Sequence, residues 1–409
     1  MCKVSCFLMM FGLLDMLKQS AKNALRTSRR ANVILPLMAT LASAMLQEEI
    51  WLVRSTYFTP PNDMTMLRFQ SGFWDSSATA EDLFSLRYRF RRADFADMLL
   101  RMRLASEVGG ALQFHDLRSS KRSRIPSDFA MMVLLRRLGY TCRFADLACE
   151  FGKATVYICE AFHTAIDYIY LNFARGGVCP FIWEEDFQSF AQAFQALGSP
   201  IPTIIGLMDG NFMCIARPGG MRNFQHQVDQ RVYYSGKEKT HGYKWLAVVL
   251  GNGMLGIKGP YPGSTHDATM FDLSGWRDKL RAYYQRYGIQ LQFFADAGFA
   301  NEDHIITMLK GYVTLAGLTF NALMARIRIL IENAFAGQHQ IFNLLSFKHK
   351  LYPGGRNINR LYIVASFMMN VYTSYYGSQF TAAMDEAGVD LHVEIDDLLK
   401  KAEDASARL

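Results

Sequence analysis

Four carboxylates sit where they do little for stability. Asp209 follows the apolar run "IIGLM" and Asp296 closes "QLQFFA". Asp267 lies in "GPYPGSTHDATMF", a loop after a strand-like stretch, and Glu332 follows three aliphatic residues in "RIRILIENAF". A carboxylate beside a hydrophobic core loses solvation at considerable cost. A hard divalent cation offsets that loss, because Mg²⁺ prefers oxygen ligands and takes a few carboxylates together with substrate phosphate. In open α/β sheets ligands collect at the carboxyl ends of strands, and two ions about 4 Å apart can clamp both oxygens of a phosphodiester displacement. Taken singly, each aspartate reads as a cap or turn residue, and Glu332 as the salt-bridge partner of Arg328 one helical turn earlier. Together they point to metal-assisted phosphoryl chemistry.

The elements that must position them follow from patterning. "PTIIGLMD" reads as a buried strand with "NFMCIAR" as its hairpin partner. "YKWLAVVLG" and "MLGIKGPYP" flank Asn252-Gly253, the preferred tight-turn dipeptide, and predict a second hairpin. A helix over 272–285, a strand in "GIQLQFFADAG", a short helix in "NEDHIITMLKGY", a long amphipathic helix carrying Glu332 and a last helix over 358–376 complete the pattern. The prediction is an α/β domain over 200–376 with a ribonuclease-H-like mixed sheet flanked by helices.

Upstream, 85–178 is predicted as an all-α domain. A helix spans 85–104 and "SSKRSRIPS" is a basic loop. Helices over 127–138, 143–151 and 154–173 follow, with Gly139 and Gly152 as stops, in a helix-turn-helix-like outline. Thr155, Tyr157 and His163 are the residues of the third helix suited to reading bases. Residues 1–84 read as a weakly patterned helical segment and 377–409 as an acidic tail.

Half of the 409 residues are hydrophobic and 20% are charged, which suits folded cores rather than a disordered chain. The net charge is +7; the 25 residues from Asp385 carry −5 and the remainder +12. A basic body fits a polyanionic partner such as nucleic acid, and solubility is the plain alternative. Lys237, Lys239, His241 and Lys244 lie on a hairpin and are expected to grip DNA phosphates, or else to form a basic edge that discourages strand pairing. The seven cysteines show no CxxC or Cys/His zinc pattern and read as reduced thiols of an intracellular protein. The two apolar N-terminal runs lack, respectively, a cleavage site and the length of a membrane span, so no membrane role is expected.

In the order and spacing of these blocks the sequence resembles the PIF/Harbinger transposases, over about 125–376. "LMDGNF", "YYSGKEKTHGYKWLAVVLGNGML", "GPYPGSTHDATMF", "FFADAGFA" and "FNALMARIRILIENAF" carry the resemblance, with 58, 29 and 36 residues separating successive acids. The resemblance implies a DDE-type endonuclease with Asp209, Asp267, Asp296 and Glu332 as catalytic metal ligands for Mg²⁺ or Mn²⁺, two ions in all. It implies Arg328 orienting Glu332, and His266 behind the ligands. Its implied substrate is double-stranded DNA at transposon terminal repeats, with a Myb-like accessory protein, a homo-oligomer and a nuclear location. A domesticated relative that binds DNA without cutting is the alternative. The family's glycine, tyrosine and histidine near the first and third aspartates are here Ala295, Phe299 and Phe212. Strand adjacency favours Asp296 over Asp267 as the partner of Asp209.

Overall fold

The computed structural model describes residues 81–218, 230–311, 313–346 and 358–409. Residues 1–80, most of the segment expected to be weakly helical, lie outside the described residues. The described chain opens with α1 (Glu81–Tyr88) and α2 (Arg92–Arg101). These are two helices rather than the single one expected, and Arg89, in the left-handed region at φ 71, separates them. Next come two antiparallel hairpins, β1 (Ala105–Val108) with β2 (Ala111–Phe114), and β3 (Asp116–Arg118) with β4 (Arg124–Pro126). The region is therefore not all-α, and the expected basic loop is the turn of a hairpin.

α3 (Ser127–Gly139), α4 (Phe144–Phe151) and α5 (Thr155–Phe173) follow close to the predicted bounds. α4 ends where Gly152 adopts the left-handed conformation that terminates helices at low cost. Two of the three positions expected to read bases face inward: Tyr157 is buried and stacks on Phe129, and the His163 ring packs against Phe144 and Phe162. Thr155 alone among them is exposed.

After a 3₁₀ segment (Pro180–Asp186) and α6 (Phe187–Ala196), the chain builds a six-stranded mixed sheet. β5 (Ile204–Cys214) is one continuous strand, so "NFMCIAR" is not a hairpin partner; its first four residues are the end of the same strand. A helical turn (Gln230–Tyr233) leads to β6 (Tyr234–Ser235), β7 (Thr240–Leu250) and β8 (Leu255–Pro262). β7 pairs antiparallel with β5, β6 and β8. Gly253, at φ 76, supplies the positive dihedral that the β7–β8 turn requires. The expected helix over 272–285 is two helices, α7 (Asp267–Ser274) and α8 (Trp276–Tyr287), split at left-handed Gly275. β9 (Gln292–Ala295) then runs parallel to β5, and β10 (Ile305–Ile306) parallel to β9. "NEDHIITMLKGY" is thus a short edge strand, not a helix.

α9 (Leu315–Ile341), capped by the Thr314 hydroxyl accepting from Gly317 N, and α10 (Ile358–Tyr376) cover one sheet face. α10 is buried along most of its length, and Trp245 of β7 stacks on its Tyr362 at 4.0 Å. The helical region docks on the same element: Phe173 stacks on Phe367, and Arg360 donates to Asp167 at 2.7 Å. The expected acidic tail is α11 (Gln379–Glu386) and α12 (Ile395–Ala407). α12 buries Ile395, Leu398, Leu399 and Ala402 while its acids pair outward, Glu403 with Arg103 and Asp396 with Arg101. No described helix is long and apolar enough to cross a membrane.

Asn370 ties α10 to the sheet. Its Oδ1 accepts from Leu255 N at 2.8 Å and its Nδ2 donates to Leu255 O at 2.9 Å, in a buried setting. Leucine there leaves two buried backbone groups unpaired, each costing about 1–3 kcal/mol. Asn370→Leu is expected to lower unfolding stability by about 2–4 kcal/mol, measured by urea denaturation; a loss below about 1 kcal/mol contradicts this role.

Candidate active site

The site begins where β9 stops pairing with β5. The register sets Met208 opposite Ala295, so Asp209 and Asp296 are the next residues on two parallel neighbours. β5 runs on to Cys214 in register with β7. Asp209 therefore does not end its strand, as expected from sequence; it marks the point where the sheet loses its β9 side. Side chains alternate between faces along a strand. Asn211, two residues on, donates to Tyr362 of α10 at 2.7 Å, which places Asp209 on the α9–α10 face. From α9, Arg328 reaches Asp296 (Nη1–Oδ1 2.9 Å) and also Glu332 (Nη2–Oε1 3.4 Å). Asp209, Asp296, Arg328 and Glu332 thus form one group.

Asp267 comes from the opposite face. Gly210 and Phe212 alternate with Asp209, and Lys244 lies directly across from Phe212. A Cβ on Gly210 would stand 2.7 Å from Asp267 Oδ1, and one on Gly298 would stand 3.1 Å from Oδ2. The carboxylate at the start of α7 is held in the space left by two glycines, one after Asp209 and one beyond Asp296. Lys244 Nζ donates to Asp267 Oδ1 at 3.1 Å and to Thr265 O at 3.0 Å. Lys244 is only 14% exposed and committed to this pair. The two-residue alternation of β7 turns this lysine, expected to grip DNA phosphate, toward α7 and Asp267.

Electrostatics mark Asp209 as the strained member. Burial, first of all, pushes its carboxyl up to about 6; the Gly210 N–H opposes this, Asp296 adds to it, Arg328 opposes it and Asp267 adds the least. Its Oδ1 accepts from Gly210 N at 2.7 Å. Asp296 Oδ1, in contrast, accepts from Ala297 N at 2.6 Å and is paired with Arg328.

The remaining expected residues are dispersed. His266 is the exposed residue preceding α7, with no side-chain cap bond. Glu332 is 58% exposed and touches the group only through Arg328. Lys237 and Lys239 are exposed, and Lys239 occupies the left-handed region at φ 52 beside the β6–β7 turn. His241 packs on Tyr234, and burial followed by Arg217 holds its proton affinity below the usual histidine value. Sequence reasoning missed Gly210 and Gly298. Their signal was a glycine one or two residues after each aspartate, in "MDGN" and "ADAG".

Among the described residues no group of three or more His, Cys, Asp and Glu side chains is gathered to hold a metal ion. The donors present nevertheless fit a hard divalent cation in kind. Asp209 is a carboxylate whose proton affinity is raised first by burial and then by the neighbouring carboxylate of Asp296. Mg²⁺ characteristically takes one or two carboxylates and completes its shell with water and phosphate.

Residues 208–370 match the DDE superfamily endonucleases. The matched DDE endonuclease segment spans the whole sheet from Met208 onward and contains all four acids, Lys244 and Arg328. No curated protein and no solved structure matches the chain.

The Asp209 shift has a pH signature. The folded carboxyl holds its proton more tightly than the ordinary value of 3.8, so the stability attributable to it falls as pH rises from about 4 to about 6 and stays lost above that. Asp209→Asn is expected to stabilise the cation-free protein by about 2 kcal/mol at pH 7.5 and by nearly nothing at pH 4, measured by urea denaturation at both pH values. A gain of equal size at both contradicts the assignment.

Proposed function

We propose that the chain is a transposase-type DNA endonuclease of the PIF/Harbinger kind, with a ribonuclease-H-like catalytic domain. Three antiparallel strands, a helical crossover, two strands parallel to the first and a long closing helix agree with that fold. The observation that carries the reading is the Asp209–Asp296 pair, set side by side where β9 ends, with Asp209 largely buried. The family match over 208–370 supports the same chemistry.

Asp209 and Asp296 would hold Mg²⁺ or Mn²⁺, with Glu332 the further acid on the same face for a second ion. When bound, the cation supplies neutralisation of charge on the phosphodiester oxygens and a lowered pKa for the attacking group. The protein's own part is positioning. The Gly210 N–H fixes one Asp209 oxygen, and the Ala297 N–H fixes one of Asp296. Arg328 steers Asp296 and Glu332 together, and Lys244 locks Asp267 against the two glycines. Lys237 and Lys239, exposed beyond β6, would meet DNA phosphates, which orients a duplex without reading its sequence. The reaction is attack of water, then of a DNA 3′-hydroxyl, at transposon terminal repeats. A Myb-like accessory protein, homo-oligomerisation and nuclear location belong to this reading through the family resemblance.

One observation favours a second reading, a domesticated DNA-binding protein that does not cut: Arg328 already neutralises both Asp296 and Glu332. Nicking of a supercoiled plasmid carrying candidate terminal repeats, with Mg²⁺ or Mn²⁺, separates the two. The wild type is expected to nick, Asp209→Ala and Asp296→Ala to lose about 100-fold or more, and Asp267→Ala to stay within about tenfold. An inactive wild type supports the second reading, and full activity in the Asp209 or Asp296 variant overturns the assignment of the pair.

A further inference from the structure

The β3–β4 hairpin carries more positive charge than its stability favours. Between His115 and Pro126 lie Arg118, Lys121, Arg122 and Arg124 against the single acid Asp116. Arg118 and Arg124 stand directly opposite each other in the strand register, on the same face. Like charges in that position repel, and a two-stranded hairpin is marginal on its own. This one is kept in place by its other face, where Leu117 and Ile125 are buried. Asp116 offers little relief, at 4.0 Å from Arg124 with both side chains well exposed.

The turn displays charge as well. Ser119 N donates to Ser123 O and Arg122 N donates to Ser119 O, both at 2.9 Å, while the Ser119 hydroxyl accepts from Ser123 N at 3.0 Å. Within it Arg122 occupies the left-handed region at φ 64, a conformation uncommon outside glycine and asparagine. Its side chain is exposed, and neither it nor Arg118 has an ion pair among the described residues. Lys121 serves differently, pinning the turn to α5 through Glu160 at 2.8 Å. The result is a stiff ribbon presenting three arginines to solvent.

We infer that this hairpin is a second DNA-docking element, with Arg118, Arg122 and Arg124 set against phosphates of a duplex, apart from the carboxylate site. An anionic backbone removes the Arg118–Arg124 repulsion and uses the exposed Arg122, and arginine forks bind phosphate in bidentate fashion. The choice of DNA as the polyanion rests on the endonuclease reading. Because the arginines touch backbone only, they add affinity and registration without sequence preference.

The test uses the full chain and a 30-base-pair duplex probe followed by fluorescence anisotropy over a range of salt. Each phosphate contact contributes about 0.9 to the slope of log affinity against log salt. The Arg118→Gln/Arg122→Gln/Arg124→Gln variant is expected to lose about 2–3 from that slope and to bind at least about tenfold more weakly at low salt. The corresponding triple lysine variant is expected to keep the slope, which separates charge from folding. An unchanged slope in the glutamine variant overturns the inference, as does a slope change seen with single-stranded RNA and not with duplex DNA. Plasmid nicking at saturating DNA is read in parallel. Loss of slope in the glutamine variant of a chain that never nicks leaves the hairpin standing and removes the nuclease reading; nicking with an unaltered slope does the reverse.

Discussion

The parallel pairing of β5 with β9 is the constraint on which the rest depends. It ends at Met208 opposite Ala295, so the next residue on each strand is a carboxylate. Parallel neighbours lie less than about 5 Å apart, which forces two negative charges together in a partly dry place. The cost appears on Asp209, whose proton affinity is raised first by burial and then by Asp296, while Asp296 itself is paired with Arg328. A fold selected for stability alone would separate these acids or give each its own cation.

The layers around the sheet assign different tasks to its two faces. α9 and α10 cover the Asp209 face; α9 brings Arg328 and Glu332, and α10 anchors Asn211 and Trp245 through Tyr362. α7 covers the other face and brings Asp267, which reaches back only because Gly210 and Gly298 carry no side chain. Lys244 serves that second face. Four acids spaced along the chain thus resolve into a close pair, a helix-borne acid held through an arginine and a lysine-bound acid across the sheet. The helical region is tied to the same scaffold through α10 and α12, by Phe173 on Phe367 and Glu403 with Arg103.

Much of this was legible in the sequence, and what was not has identifiable causes. Asn252-Gly253 gave away the β7–β8 hairpin, and the aliphatic runs located β5 and β9. "DGN" read as a turn because Asp-Gly favours one, yet β5 passes straight through it; Gly210 is there to make room for Asp267, not to bend the chain. β10 was taken for helix because Ile305–Ile306 owes its strand character to its neighbour β9 rather than to local pattern. The C-terminal helix was hidden by charge, although Ile395, Leu398, Leu399 and Ala402 repeat at helical spacing. The pairing of Lys244 with Asp267 depends on strand phase, which charge alone did not show. The close neighbourhood of Asp209 and Asp296 followed from strand adjacency, but the arginine that serves both Asp296 and Glu332 is a tertiary fact that spacing alone did not contain.

The central claim, that Asp209 and Asp296 form the cation-binding pair, is tested most directly by Mn²⁺ binding to the full chain, followed by electron paramagnetic resonance at pH 7.5 without DNA. The account predicts saturable binding that is lost in both Asp209→Asn and Asp296→Asn and kept in Asp267→Asn. Binding that survives in either of the first two variants, or vanishes only in the third, would contradict it.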